Sequence, residues 1–178
     1  MINVAKRPLP PIVNGPVTLR LLEERDLTMT RAWRNQDDIR KWFLTSGIIS
    51  EAQHAAWFAQ YRDRDDDFVF IIEETQHLNR PIGQVSLYAI DWTDRRAKFG
   101  RLLVGDAEAR GRGLARRAVE VLIAHAHHAL GLNELRLEVL SGNTRAIALY
   151  ESCGFSVRET DGVEIGMVKA LNDDRSLT

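Results

Sequence analysis

Two glycines one residue apart stand directly before the strongest helix-forming stretch of the chain, in the segment Val104-Gly105-Asp106-Ala107-Glu108-Ala109-Arg110-Gly111-Arg112-Gly113-Leu114-Ala115. From Leu114 to Leu130 the residues are rich in Ala, Leu, Arg and Glu, and Gly131 supplies a stop. Glycine removes Cβ bulk, so backbone N–H groups in such a turn can come close to a ligand. The first turn of the following helix adds unsatisfied donors and a partial positive charge, a natural seat for phosphate. Arg110, Arg112, Arg116 and Arg117 bring four positive charges, with no acid between residues 109 and 119. The segment therefore reads as an anion cradle on a strand–turn–helix unit. A tight loop before a solvated basic helix face would share these features, because glycine motifs this short also arise by chance. A Walker A loop is excluded, since Gly113 is followed by Leu114-Ala115 rather than Lys-Ser/Thr. A dinucleotide fingerprint fits poorly, because Arg116 stands where the third glycine belongs and six residues separate Val104 from Gly111.

The elements around the turn set the fold class. Val17 to Leu22 reads as a strand, followed by a helical stretch capped by Asp26 that carries Leu27, Trp33, Ile39, Trp42 and Phe43 on apolar stripes. Ser50-Glu51-Ala52-Gln53 has capping-box spacing, with His54, Trp57, Phe58 and Tyr61 behind it at i, i+3, i+4 and i+7. Phe68 to Ile72, Ile82 to Ile90 and Ala97 to Val104 are strands joined by short turns, an antiparallel meander. Leu135 to Leu140 is a strand, Asn143 to Ser152 a helix, and Phe155 to Arg158 with Val163 to Leu171 close the chain. The order β-αα-βββ-α-β-α-ββ predicts one mixed α/β domain over residues 16–172. A proline-rich extended arm (1–15) precedes it and a short tail (173–178) follows.

Composition narrows the function classes. The 178 residues carry 24 Lys+Arg against 25 Asp+Glu, a net charge of −1, which argues against a broad nucleic-acid or membrane-binding surface. Arg outnumbers Lys 20 to 4, so where the arginines lie matters more than their sum. Cys153 is the single cysteine, which leaves no internal disulfide framework and no multi-cysteine metal site. No apolar run approaches the ~18 residues of a membrane span, and a cytoplasmic location is the default expectation.

Arg110-Gly111-Arg112-Gly113-Leu114-Ala115 resembles the R/Q-x-x-G-x-G/A signature of the GCN5-related N-acetyltransferase (GNAT) superfamily. Leu137-Glu138-Val139, Asn143 and the run Ala146 to Phe155 are similar to the second half of that family's cofactor site, and the order of elements agrees from about Val17 to Leu171. The resemblance implies a central, mostly antiparallel twisted sheet with a splayed strand pair that receives acetyl-CoA as acetyl donor, without a metal. It implies that backbone groups of Leu102, Leu103 and Val104 pair with the pantetheine arm as an added strand would. By the same resemblance Arg110, Gly111, Arg112, Gly113, Leu114 and Ala115 hold the pyrophosphate, and Asn143 contacts pantetheine while also capping its helix.

Amide formation from a thioester needs a neutral amine, stabilisation of an oxyanion and a proton for the departing thiolate. Tyr150 matches the family tyrosine placed beside the CoA sulfur as general acid. Glu138, twelve residues earlier in a Leu-Glu-Val context, resembles the base of ribosomal-protein alanine acetyltransferases. A strand glutamate paired with an arginine is an equally good reading of Glu138, and a tyrosine packed under the sheet is the plain one for Tyr150. Cys153 has no histidine near it in sequence and reads as a small buried hydrophobe.

The N-terminal half resembles acetyltransferases that modify amino sugars on nucleotide carriers, through Trp33-Arg34-Asn35, Ile39 to Phe43, Ile49-Ser50 and His54-x-x-Trp57-Phe58. That resemblance implies an amine acceptor held by Trp33, Arg34, Asn35, Trp42, His54 and Trp57, since aromatic faces suit sugar rings and arginine forks suit phosphates. Aromatic residues at helical spacing are also ordinary core. Protein N-terminal acetylation, a cationic acceptor such as a polyamine, and a non-catalytic acetyl-CoA sensor stand as alternatives. The family often forms homodimers.

Overall fold

A computed structural model describes residues 5–172; residues 1–4 and the tail predicted over 173–178 lie outside the described residues. Eight strands form one sheet: β1 (Ile12–Asn14), β2 (Val17–Leu21), β3 (Asp67–Glu74), β4 (Arg80–Asp91), β5 (Arg96–Val104), β6 (Glu134–Leu140), β7 (Ser156–Thr160) and β8 (Glu164–Ala170). Their order across the sheet is β1-β2-β3-β4-β5-β6-β8-β7. Every neighbouring pair is antiparallel except β5–β6. The helices are α1 (Leu27–Arg34), α2 (Asp37–Arg40), α3 (Glu51–Tyr61), α4 (Leu114–His128) and α5 (Thr144–Ser152).

The central strand β3 shows why the sheet has two covered faces. Phe68, Phe70 and Ile72 join Ala118, Val119, Leu122 and Ala126 of α4 in the main core, whereas Val69 and Ile71 pack with Leu22 and Tyr61 beside Trp57 and Phe58 of α3. Side chains alternate across a strand, so a strand buried on both faces reads as an unbroken apolar run. Each of the fully buried Phe, Ile, Val and Leu side chains contributes on the order of 1.5–3 kcal/mol of transfer free energy.

Part of the predicted arm belongs to the sheet. Ile12–Asn14 pair with Val17–Leu19 around a turn at Gly15, whose φ of 59° is the left-handed region that favours glycine. The predicted helical stretch after Asp26 is broken. α1 ends at Arg34, α2 is a single turn, and Trp42 and Phe43 lie beyond it in an irregular loop. The break has a tertiary cause: the Asn35 amide donates to the Ile49 carbonyl (2.9 Å) and accepts from the Ile49 N–H (2.8 Å), bending the chain back on itself. Asp26 does not cap α1 with its side chain. Its buried carboxylate accepts from Arg20 at 2.7 and 2.8 Å and from the Glu23 N–H at 2.9 Å. The Ser50 capping box forms as predicted, with reciprocal bonds between Ser50 and Gln53 (3.1 and 2.8 Å).

Candidate active site

The parallel pairing of β5 with β6 is short. Arg96, Ala97 and Lys98 face Glu134, Leu135 and Arg136, and the register ends there although both strands continue. The cause lies on the other side of β5. Gln84 and Ser86 of β4, two residues apart, oppose Leu103 and Gly100 of β5, three apart, so β5 carries a bulge. Arg101 occupies it at a left-handed φ of 51°. A bulge bends its strand and sharpens the twist, which turns β5 away from β6. Two hydrogen bonds to Asp67 (2.7 and 3.2 Å) hold Arg101 in this conformation, and its guanidinium lies 4.2 Å from the Tyr88 ring centroid.

The opened seam lies between two adjoining cavities. One, of about 540 Å³, runs along Leu102, Leu103 and Val104 to Gly111, Gly113, Leu114 and Ala115, with Asn143 opposite. Gly111 and Gly113 adopt φ of 73° and 74°, and a Cβ at either would meet open space. The glycines are thus required by backbone conformation, and they leave the first-turn amides of α4 uncovered. Asn143 caps α5 by accepting from the Ala146 N–H at 3.2 Å. These features fit a phosphate-bearing, peptide-like cofactor: a strand edge without a partner leads to a helix N-terminus.

The arginines contribute less than their number suggests. Arg110 lines this cavity, but its guanidinium is engaged by Asp38 (2.7 Å), Gln36 (2.9 Å) and the Val104 carbonyl (3.1 Å). It ties the glycine turn to α2. Arg116 pairs with Glu120 at 3.0 Å, and Arg112 is exposed and does not line the cavity. The acid-free run in sequence hid these partners, which come from distant elements and from one helical turn on.

The second cavity, of about 570 Å³, shares Trp42, Phe43, Leu102, Asn143 and Ala146 with the first. Tyr150 and Glu138 both line it. The Tyr150 ring packs edge-on against Phe99 and Phe155 at 6.1 and 5.9 Å, and burial pushes its phenol well above the ordinary tyrosine range. Glu138 lies two residues past the last position of β6 that pairs with β5 and receives a hydrogen bond from Lys98 Nζ at 2.7 Å. That bond, followed by the charge of Glu138, raises the Lys98 ammonium pKa. Cys153 is buried and its thiol is pushed up by burial, the wrong direction for a nucleophile.

Of the six residues expected to hold the acceptor, Arg34, Trp42, His54 and Trp57 line the second cavity. Trp33 does not. It is buried with Ile39 and Leu103 beneath Gly105, where a Cβ would come within 2.0 Å of its ring, so it is a packing residue. Asn35 spends its amide on Ile49 and does not line the cavity either. His54 stacks on Trp57 with ring centroids 5.4 Å apart; burial, then Arg31, hold its imidazole below the ordinary range. The sequence reading missed Tyr88, Arg101 and Lys98. For Tyr88 the alternation Gln84-x-Ser86-x-Tyr88 was the available signal, polar residues at every second position of a central strand that otherwise reads as core, of which Gln84 and Tyr88 line the cavity.

The family described as Acetyltransferase (GNAT) domain matches residues 17–156. The spermidine N(1)-acetyltransferase of Vibrio cholerae serotype O1 is 27% identical over 143 residues, covering 80% of each chain. The Bacillus subtilis protein YdaF, whose name places it among candidate ribosomal N-acetyltransferases, is 27% identical over 151 residues, covering 80% of this chain and 79% of its own. Among solved structures, spermidine N-acetyltransferase from Vibrio cholerae in complex with CoA and spermine superimposes with a TM-score of 0.79 at 24% identity, over 89% of this chain and 97% of that one. A dodecameric structure of the Vibrio cholerae enzyme gives 0.75 at 24% identity, over 92% and 100%. With the family match spanning most of the chain, and the bulged, splayed strand pair leading to the glycine turn, this protein belongs to the GNAT acetyltransferases.

Proposed function

We propose that this protein transfers the acetyl group of acetyl-CoA directly to the primary amine of a small molecule, of the class of amino sugars carried on nucleotides. The observation that carries this reading is the meeting of the two cavities at Leu102, Asn143 and Ala146, with Tyr150 and Glu138 on the acceptor side. Acetyl-CoA supplies the activated acyl thioester. Leu102 to Val104 offer a strand edge for its pantetheine arm, and Gly111 to Ala115 offer amides for its pyrophosphate. Asn143, fixed as the α5 cap, borders both cavities.

Tyr150 keeps its proton through the neutral range and is the acid that meets the departing sulfur. A water-poor site raises a thiol as it raises a phenol, so the proton affinities of donor and sulfur move together. Glu138 is the acceptor-side base. Lys98 Nζ holds it by a 2.7 Å hydrogen bond, and its carboxylate can take a proton from an ammonium, directly or through water. Trp42, Phe43 and Trp57 give the cavity an aromatic lining of the kind that suits a sugar or base ring.

Protein N-terminal and polyamine acceptors, the substrates that the relatives' names bring forward, are tested in the same experiment. Acetyl-CoA is offered with nucleotide-linked amino sugars, N-terminal peptides, polyamines and aminoglycosides. CoA thiol release and the mass of one added acetyl group are read for each. Turnover is expected with the amino-sugar class. Turnover confined to peptides or polyamines would reassign the acceptor, and acetyl-CoA binding without turnover on any amine would make the protein a sensor. Self-association, common in the family, is expected to show in light scattering as a mass above that of one chain.

A further inference from the structure

We infer that the acceptor carries an oxyanion and that Arg34 is the residue that reads it. The inference takes from the acetyl-transfer reading only that the second cavity receives the acceptor, and it concerns the end of the molecule away from the amine.

Three fully charged side chains line the second cavity: Arg34, Arg101 and Glu138. Two are already neutralised within the protein. Arg101 is bound twice by Asp67, whose side chain is only 2% exposed, and Glu138 is bound by Lys98 at 2.7 Å. Arg34 is the remainder. Among the described residues no carboxylate pairs with it; its Nη2 donates to the Thr45 carbonyl, its guanidinium lies 3.9 Å from the Phe43 ring centroid, and its Nη1 is buried with no hydrogen-bond partner. Nearby Arg40 adds to the positive potential, although Asp37 at 2.8 Å offsets part of it.

A partly buried guanidinium without a counter-charge is costly, and the cost is relieved when a ligand supplies the missing anion. The planar fork of arginine suits carboxylate and phosphate, and charge-assisted bonds to either are about twice as strong as neutral ones. A polycation would meet the opposite situation. It would find one carboxylate, already held by a lysine, and an uncompensated arginine. The cavity therefore selects an amine that is anionic elsewhere, unlike the spermine held by the Vibrio cholerae enzyme.

The test is binding to the full-length protein, by calorimetry or NMR titration, of matched amines that differ only in the anion. Glucosamine 6-phosphate against glucosamine reports phosphate, and alanine against alaninamide reports carboxylate. At least one pair is expected to differ by about tenfold or more in favour of the anionic member. Arg34→Gln should abolish the difference and Arg34→Lys should keep part of it, with acetyl-CoA binding and thermal melting showing that each variant is folded. The pair that discriminates identifies the anion. Equal binding within both pairs by the wild-type protein overturns the inference whatever the variants do, as does a preference that survives Arg34→Gln. Failure of the acetyl-transfer reading would instead appear as no thiol release with any amine, and the binding comparison would still be readable.

Discussion

Tyr150 is 7% exposed, packed edge-on against Phe99 and Phe155, and burial holds its phenol above the ordinary range. A tyrosine raised in this way stays protonated through pH 10 and beyond, so it cannot produce a falling limb in the working range. Turnover should climb with pH as the acceptor amine loses its proton and then level off. Tyr150→Phe should lower kcat by about 10²–10⁴-fold at every pH, whereas Glu138→Gln should move the rising limb to higher pH. Both are read from kcat profiles between neutral pH and pH 10 with acetyl-CoA saturating. A descending limb below pH 10 that vanishes in Tyr150→Phe would contradict the protonated role.

The β5 bulge is what opens the site, and one ion pair holds it. Removing Arg101 leaves the Asp67 carboxylate buried without its partner, a class of change that costs about 3–5 kcal/mol. Arg101→Ala should therefore destabilise strongly in urea, and the double variant Arg101→Ala, Asp67→Ala should be less harmful than the two single costs added together. A cost below about 1 kcal/mol for Arg101→Ala would mean that the pair does not secure the bulge. This bulge was not legible in the sequence, because its partners come from β3 and β4 and no local pattern announces a non-glycine residue at φ of 51°. The break after α1 was hidden for the same reason, since Asn35 reaches Ile49 fourteen residues on, and apolar periodicity ran straight through it. Elements governed by neighbours in the chain were legible. Ser50 with Gln53 formed its box, Gly111 and Gly113 took the left-handed conformations a tight turn asks for, and β3 to β5 formed the meander. Trp33 shows the limit of composition: two adjacent residues, Trp33 and Arg34, have opposite fates, one sealed under Gly105 and one lining the cavity.

Across the whole molecule, the net charge of −1 averages over local assignments that differ sharply. Most arginines among the described residues have acidic partners, and Arg34, which has none, lines the second cavity. The described residues include no helix long and apolar enough to cross a membrane. The sheet itself is built in two parts, β1 to β5 and β6 to β8, joined by three register pairs of a single parallel contact. Acetyl-CoA laid along Leu102 to Val104 would add pairing where the protein has none. Saturation at one hundred times Kd should stabilise the fold by about 2.7 kcal/mol. Amide exchange should slow along 99–104 and 137–140 more than in β3, and uniform slowing would argue against binding in the seam. Bound there, the donor would be a fastener as well as a reagent. Release of the cofactor after each turnover would undo part of that clasp between the two halves, so an enzyme deprived of acetyl-CoA should be nicked sooner by proteases, and its endurance would track the supply of its own substrate.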